Sequence, residues 1–426
     1  MKTLLLFAAF SLFYFYNYCQ NSYLQYFTKE RLRVEYYLTG KQNEAHITLG
    51  NIYKEPIWGG NEKNLIDTFK YGHYLVEVYD STGQQLLYSK VFSTLFQEWQ
   101  YTPEARTKTR TFLHWISLPF PKHTIQIVFY ERNKKNNFIE LYRESINPLS
   151  PLIIAEKPDR YAIVDYIKNG ECSEKIDIAI VAEGYTNGQM EKFEQDAKRL
   201  TDALFNVSPF KENKHLFNIY FVKTPSEEQG TDFPHKNIWK KTALDTRFYT
   251  FETDRYISVY NYAPLGKALA NVAYDQIIVL VNTKAYGGGG IYNYYSVAVA
   301  DNFFADYVFI HEFGHAFAGL ADEYDDADES NADFYDLTVE PWEPNITTLV
   351  AFDKKWKNTV DKKTPIPTPL DKNYEHKIGA FEGAGYNKKG MYRPTPTCIM
   401  RSLDKLEFCP VCQKAIKDII LFNSQP

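Results

Sequence analysis

Along the first third of the chain, apolar and polar residues alternate in short bursts. His46-Ile47-Thr48-Leu49, Tyr74 to Tyr79, Leu86 to Phe92 and Ile125 to Tyr130 are rich in β-branched and aromatic residues, which suit pleated, half-buried strands. Asp80-Ser81-Thr82-Gly83 lies between two of these runs as a turn. Short strands at this spacing predict an all-β, sandwich-like domain over residues 20–155. Pro148, Pro151 and Pro158 then mark a linker.

Beyond the linker the period changes. Ile176-Asp177-Ile178-Ala179-Ile180-Val181 reads as a buried strand, followed by Phe217 to Val222 and Gln276 to Val281. Between the first two, Asn187 to Phe205 carries Met190, Phe193, Ala197, Leu200 and Leu204 on one helical face. A further helix is expected over Thr253 to Tyr262. Gly287 to Gly290 precedes an aromatic strand, Ile291 to Ala300, and then a helix from Asn302 to Gly319 with Asp301 as its N-cap. Asp325 to Gly390 is polar and loop-rich, and Ala415 to Phe422 closes the chain as a helix. Alternating strands and helices predict an α/β (α+β) domain over residues 160–426.

The first residues alter the picture of where this chain works. Lys2 precedes an almost wholly apolar run, Leu4 to Tyr16, and then polar Asn17 and Gln20 to Ser22. That order is an export signal, here residues 1–19, and the run is too short to span a bilayer. The mature chain is then expected to be secreted, periplasmic or held at the cell surface, with no transmembrane segment. Cys19 is either the residue before the cut or a lipidated first residue; Tyr18 is bulky for a lipidation site and argues against the anchor. Removing Cys19 leaves Cys172, Cys398, Cys409 and Cys412, an even count suited to an oxidising compartment. Cys409-Pro-Val-Cys412 alone could be half a zinc knuckle or a redox pair; no second Cys-x-x-Cys completes a knuckle, so a local disulfide involving Cys398 is expected. The formal net charge of −5 offers no basic stripe for nucleic acid.

Candidate chemistry concentrates in His311-Glu312-Phe313-Gly314-His315. Two His four residues apart share one helical face and can reach one metal ion. Glu312 adjoins the first ligand and can act as base toward a zinc-bound water without binding the metal itself. One Zn2+ per chain is expected. Metzincin-type zincins continue His-x-x-Gly-x-x-His or Asp. Here His315-Ala316-Phe317-Ala318-Gly319-Leu320-Ala321-Asp322 has one extra residue before the Gly, while Gly319 to Asp322 keeps the usual interval. Asp322 is the expected third ligand, with Glu323 the neighbour that could displace it, and Glu329 or Glu340 suited to a thermolysin-like alternative. Met400 lies 85 residues after His315, behind Pro394-x-Pro396, and is the expected Met-turn beneath the metal, with Met391 as the alternative. Gly287 to Gly290 lacks a following Gly-Lys-Ser/Thr and is no phosphate loop; it suits the rim of a cleft. The strand Tyr292 to Val299 could pair with an extended peptide. Tyr295, His376 and Tyr392 are candidates for oxyanion or substrate contacts.

The run from His311 to Tyr324 resembles the bacterial IgA-peptidase family of zinc metallopeptidases. Val181-Ala182-Glu183-Gly184-Tyr185-Thr186, Phe381-Glu382-Gly383-Ala384-Gly385-Tyr386, Tyr392-Arg393-Pro394 and Cys398-Ile399-Met400-Arg401-Ser402 are similar to it as well. The resemblance covers most of the C-terminal two thirds, and a β-rich N-terminal domain also fits it. It implies a metzincin-like catalytic domain, with His311, His315 and Asp322 at the metal-ligand positions and Glu312 at that of the base. It does not imply immunoglobulin as substrate, because specificity lives in loops that diverge. The functional expectation is a secreted zinc-dependent endopeptidase acting on protein or peptide. The rival is an inactive peptidase-fold protein binding protein or glycan through its N-terminal domain, against which the retained Glu312 argues. Metal-dependent hydrolysis of a non-peptide amide is a third reading.

Overall fold

The computed structural model describes residues 23–157, 161–326, 334–403 and 405–424. The expected signal at 1–19, with Cys19, and also Pro158 and Glu329 lie outside these residues.

The N-terminal part is mostly β. Its strands are β1 (Phe27–Lys41), β2 (Glu44–Glu55), β3 (Tyr74–Asp80), β4 (Leu86–Phe92), β5 (Arg110–Pro121), β6 (Ile125–Arg132), β7 (Phe138–Ile146) and β8 (Ile154–Ala155). They form two four-stranded sheets, in the orders β5-β1-β2-β8 and β4-β3-β6-β7. Alternate residues of both sheets, among them Val34, Tyr36, Leu38, Val76, Val78, Ile127 and Phe129, meet in one apolar core. Between β4 and β5 the chain forms a short helix, Leu95–Gln100, started by the Thr94 hydroxyl, which accepts from the Gln97 amide at 3.2 Å.

The second part is built on a six-stranded mixed sheet. It uses β9 (Ala162–Ile167), β10 (Ile176–Glu183), β11 (Phe217–Lys223), β14 (Gln276–Val281), β15 (Gly288–Ile291) and β16 (Tyr295–Val299), in the order β15-β16-β14-β10-β11-β9. The two-residue strands β12 (Thr246–Arg247) and β13 (Ser258–Val259) pair separately. β10, β11, β14 and β16 are mutually parallel where they pair, while β9 and β15 run antiparallel at the two edges. Every residue of β10 is buried, as expected for a strand covered on both faces. Ile176, Ile178, Ile180 and Ala182 join one core, with the helices Met190–Leu204, Ala305–Ala318 and Pro410–Ser424. Ala179 and Val181 join the other, with the helix Tyr262–Leu269.

The two parts are joined by buried polar contacts. Arg31 forms an ion pair with Glu55 at 2.5 Å and also donates to the carbonyls of Leu269 (2.7 Å) and Val272 (3.1 Å). A cation at the C-terminal end of the Tyr262–Leu269 helix is favourably placed against its dipole. The Ser93 amide donates to the Tyr292 carbonyl at 3.0 Å.

Three local expectations change. Thr253 to Tyr262 is not a helix: Tyr249, Phe251 and Glu252 adopt positive φ, the chain turns, and the helix starts only after Asn261, whose side chain caps Ala263. Ile291 to Ala300 is not one strand but a hairpin that turns at Asn293, which has φ 54°. Asp301 does not cap the helix beginning at Ala305; its carboxylate pairs with Lys192 at 2.8 Å.

Candidate metal centre and cleft

The helix Ala305–Ala318 presents Val308, Phe309, Ile310, Phe313 and Phe317 to the sheet, which leaves His311, Glu312 and His315 on the side facing a cleft of about 390 Å3. Gly319 ends the helix in the left-handed conformation, φ 61°, with its amide returning to the His315 carbonyl at 3.0 Å. The chain then doubles back, and Asp322 reaches the two imidazoles despite the extra residue before Gly319. Asp322 Oδ1 lies 3.2 Å from His311 Nε2 and 3.4 Å from His315 Nε2, and the two Nε2 atoms are 3.0 Å apart.

Hydrogen bonding fixes which atoms face inward. His311 Nδ1 meets the Ile399 carbonyl at 3.0 Å and His315 Nδ1 meets the Leu320 carbonyl at 2.5 Å. A carbonyl can only accept, so each Nδ1 carries a proton and each Nε2 faces Asp322, where the neutral ring can offer its lone pair to a cation. Tyr307, one turn before His311, donates to the same Ile399 carbonyl at 2.8 Å. Asp322 Oδ2 accepts from Tyr324 (2.9 Å) and Tyr386 (2.5 Å), whereas buried Oδ1 has no hydrogen-bond partner. Two Nε2 atoms and a carboxylate oxygen therefore converge on one point. Ligand arms of about 2.0–2.1 Å in a tetrahedral site give edges of about 3.3 Å, close to this triangle, so the donor set fits a zinc-sized cation.

The charges agree. Burial opposes ionisation of Asp322, but His315 and His311 outweigh it and hold its carboxyl well below the usual range. Burial likewise pushes the His315 imidazole down, and Asp322 more than reverses this, lifting it to about 9. The site draws positive charge to one point. Glu312 is half-buried and lines the cleft. Desolvation raises its carboxyl, with the adjacent imidazoles pulling the other way.

β15 is the edge strand beside this site. A side chain on Gly288 would come within 2.6 Å of Glu312 Cγ, and one on Gly290 within 2.3 Å of the Glu312 carbonyl oxygen. The glycine run is thus a close approach of backbone to the helix, and Gly287 to Gly290 line the cleft. Met400 is fully buried, and its sulfur sits 3.1 Å from where a Cβ on Gly314 would lie, between the two His. Met391 packs elsewhere, with Ala321, Ile346 and Ala384.

Several candidates from the sequence lie away from the cleft. Tyr295 is in the core, its hydroxyl 3.1 Å from that of Tyr262. β16 is hydrogen-bonded to strands on both sides, so Tyr292 to Val299 offers no free strand edge; the outer side of β15 is itself bridged at Gly288, whose amide donates to the Arg255 carbonyl and whose carbonyl accepts from the Ile257 amide, both at 3.1 Å. His376 is exposed in a turn, and Tyr392 lies on β18 (Asn387–Arg393), paired with β17 (Phe381–Ala384). Glu340 accepts from the Ala351 amide at 2.8 Å. Glu323 points away from the imidazoles toward the cysteines. The expected disulfide is not formed: Cys172, Cys398, Cys409 and Cys412 are all free.

Sequence reasoning missed other residues here. Tyr307 was legible in principle, four positions before His311 on one helical face. Tyr324 and Tyr386 each end a run that resembles the family, but nothing in the sequence gave either of them a role. Glu98, on the short N-terminal helix, also lines the cleft and accepts a hydrogen bond from Tyr256.

Comparison with protein families gives two matches. Residues 164–377 and 370–420 match the family described as IgA Peptidase M64, and residues 22–143 match the one described as Peptidase M64 N-terminus. No curated protein matches the chain.

Proposed function

Because the chain belongs to the IgA Peptidase M64 family, and is therefore a peptidase, we propose that it is a secreted, zinc-dependent endopeptidase with a metzincin-like catalytic unit over residues 160–426. One observation carries the reading: three inward-facing donors of His311, His315 and Asp322 lie 3.0–3.4 Å apart beside Glu312 on an open cleft. Zinc, when held by these three residues, would supply Lewis-acid polarisation of a scissile carbonyl and of an attacking water.

The chain's own groups do the rest. Glu312 takes a proton from the attacking water and returns it to the leaving amine. Ile399 and Leu320 hold the imidazole tautomers, and Tyr324 and Tyr386 hold the Asp322 carboxylate by one oxygen, leaving the other free to ligate. Met400 acts as the apolar floor. Export is proposed on the Lys2 and Leu4 to Tyr16 pattern, with a lipid anchor at Cys19 as the lesser alternative.

The test uses purified full chain and an unfolded protein substrate. Fragments with internal termini, abolished by chelation and restored by zinc, are expected. Glu312→Gln should lower the rate by on the order of 10²–10⁴-fold while zinc content stays. If Glu312→Gln loses zinc as fully as His315→Ala, the base is misassigned; if only terminal residues are released, the endopeptidase reading fails.

A further inference from the structure

Behind the imidazole cluster lies a second group of ligating atoms with different chemistry. Glu323 Oε1 and the Sγ atoms of Cys398, Cys409 and Cys412 all lie within 4.8 Å of one another, and all four residues are buried. Cys398 Sγ and Cys412 Sγ are 3.8 Å apart. Glu323 Oε1 is 3.2 Å from Cys412 Sγ and 4.0 Å from Cys409 Sγ. A tetrahedral zinc with arms of about 2.3 Å to sulfur and 2.0 Å to oxygen has edges of about 3.8 and 3.5 Å.

Two further observations point to a cation. Glu323 is fully buried; Asn345 donates to its Oε1 at 3.0 Å, but Oε2 has no hydrogen-bond partner among the described residues. A buried carboxylate set against three sulfurs is costly unless positive charge meets it. Two of the three sulfurs also accept backbone amides. The Cys409 amide points at Cys398 Sγ (3.3 Å) and the Cys412 amide at Cys409 Sγ (3.5 Å). Cys409 and Cys412 flank the first residues of the helix Pro410–Ser424, whose positive end favours thiolates.

We propose that Glu323, Cys398, Cys409 and Cys412 form a second metal site, closed and four-coordinate, taking a thiophilic divalent cation and zinc in the first instance. The half-knuckle Cys409-Pro-Val-Cys412 is completed by one cysteine eleven residues upstream and by a carboxylate from the far loop. With four protein ligands it has no open position, so its role is structural. Glu323 directly follows Asp322, and its amide donates to the Met400 carbonyl at 2.8 Å. Cys398 directly precedes Ile399, whose carbonyl holds His311. An ion here therefore clamps two segments that shape the imidazole site to the C-terminal helix.

The proposal stands apart from the peptidase reading, because the first site has only nitrogen and oxygen ligands. Full-length protein, purified without reductant or chelator, would be analysed for metal content and by zinc-edge X-ray absorption. The expected result is two zinc ions per chain and a zinc–sulfur shell near 2.3 Å. Asp322→Ala should lose one zinc and keep the sulfur shell; a paired Cys409→Ser, Cys412→Ser variant should lose the shell. Should that variant fail to fold, the wild-type spectrum decides alone. Absence of zinc–sulfur scattering in the wild type overturns the site, as does a Cys398–Cys412 disulfide found by peptide mapping of the unreduced protein.

Discussion

Asp322 and Glu323 adjoin in sequence, yet their carboxylates enter different clusters: Asp322 Oδ1 stands 3.2 Å from His311 Nε2, and Glu323 Oε1 stands 3.2 Å from Cys412 Sγ. One short loop after Gly319 thus serves both. Side chains that leave a non-helical chain in opposing directions make this division natural, and it turns Glu323 away from the imidazoles toward the sulfurs.

The ranking of ligand and supporting groups follows. Asp322→Ala should weaken zinc at the imidazole site by well over about 100-fold, whereas Tyr386→Phe or Tyr324→Phe, which only release Oδ2, should cost about 10–100-fold. Competitive chelator titration measures this. A Tyr386→Phe protein with unchanged affinity would mean that its hydroxyl does not orient the ligand.

Gly288 offers a test of the close approach between β15 and the helix. An added methyl would press on Glu312 Cγ at 2.6 Å and Oε1 at 2.7 Å, and on Val308 Cγ1 at 2.7 Å. Gly288→Ala should therefore lower kcat about 100-fold, the scale of a displaced reacting group, with zinc content near normal. Retained activity would show that Glu312 does not need its present position.

His114 gives a pH signature. It is fully buried, both ring nitrogens lack partners, and it packs among Tyr36, Phe112, Tyr262 and Tyr294. Burial pushes its imidazole from 6.5 down to about 3. The unfolded chain therefore binds a proton between those values that the folded chain refuses, so stability falls as pH drops through 6.5 toward 3. From pH 7 to 5 the loss from this residue is about 2 kcal/mol. Urea denaturation should show His114→Phe losing that much less than wild type over the same interval; equal losses would refute the assignment.

What the sequence made legible was local and periodic. The His311 and His315 pair needs only helical spacing, and β10, β11 and β14 needed only apolar runs. Asp322 was reachable because Gly319 marks where a helix must end. Tyr295 misled because an aromatic beside a glycine run looks the same whether it faces a cleft or a core; the hairpin turn at Asn293 decided that, and turn position is weakly encoded. The cysteine cluster was hidden for a related reason. Its fourth member, Glu323, lies 86 residues before Cys409, and no spacing rule spans such a distance.

Arg31 fastened to the carbonyls at Leu269 and Val272, and Ser93 to that of Tyr292, brings the short helix Leu95–Gln100 to the mouth of the cleft, where Glu98 forms part of its wall. The β-rich N-terminal third therefore supplies part of the cleft wall and is not a detachable handle. Selection acting on that third can change the shape of the cleft while the residues of the candidate metal centre stay untouched. A shortened enzyme cut at the prolines would open one side of its own chamber and leave the carbonyls at Leu269 and Val272 without their guanidinium.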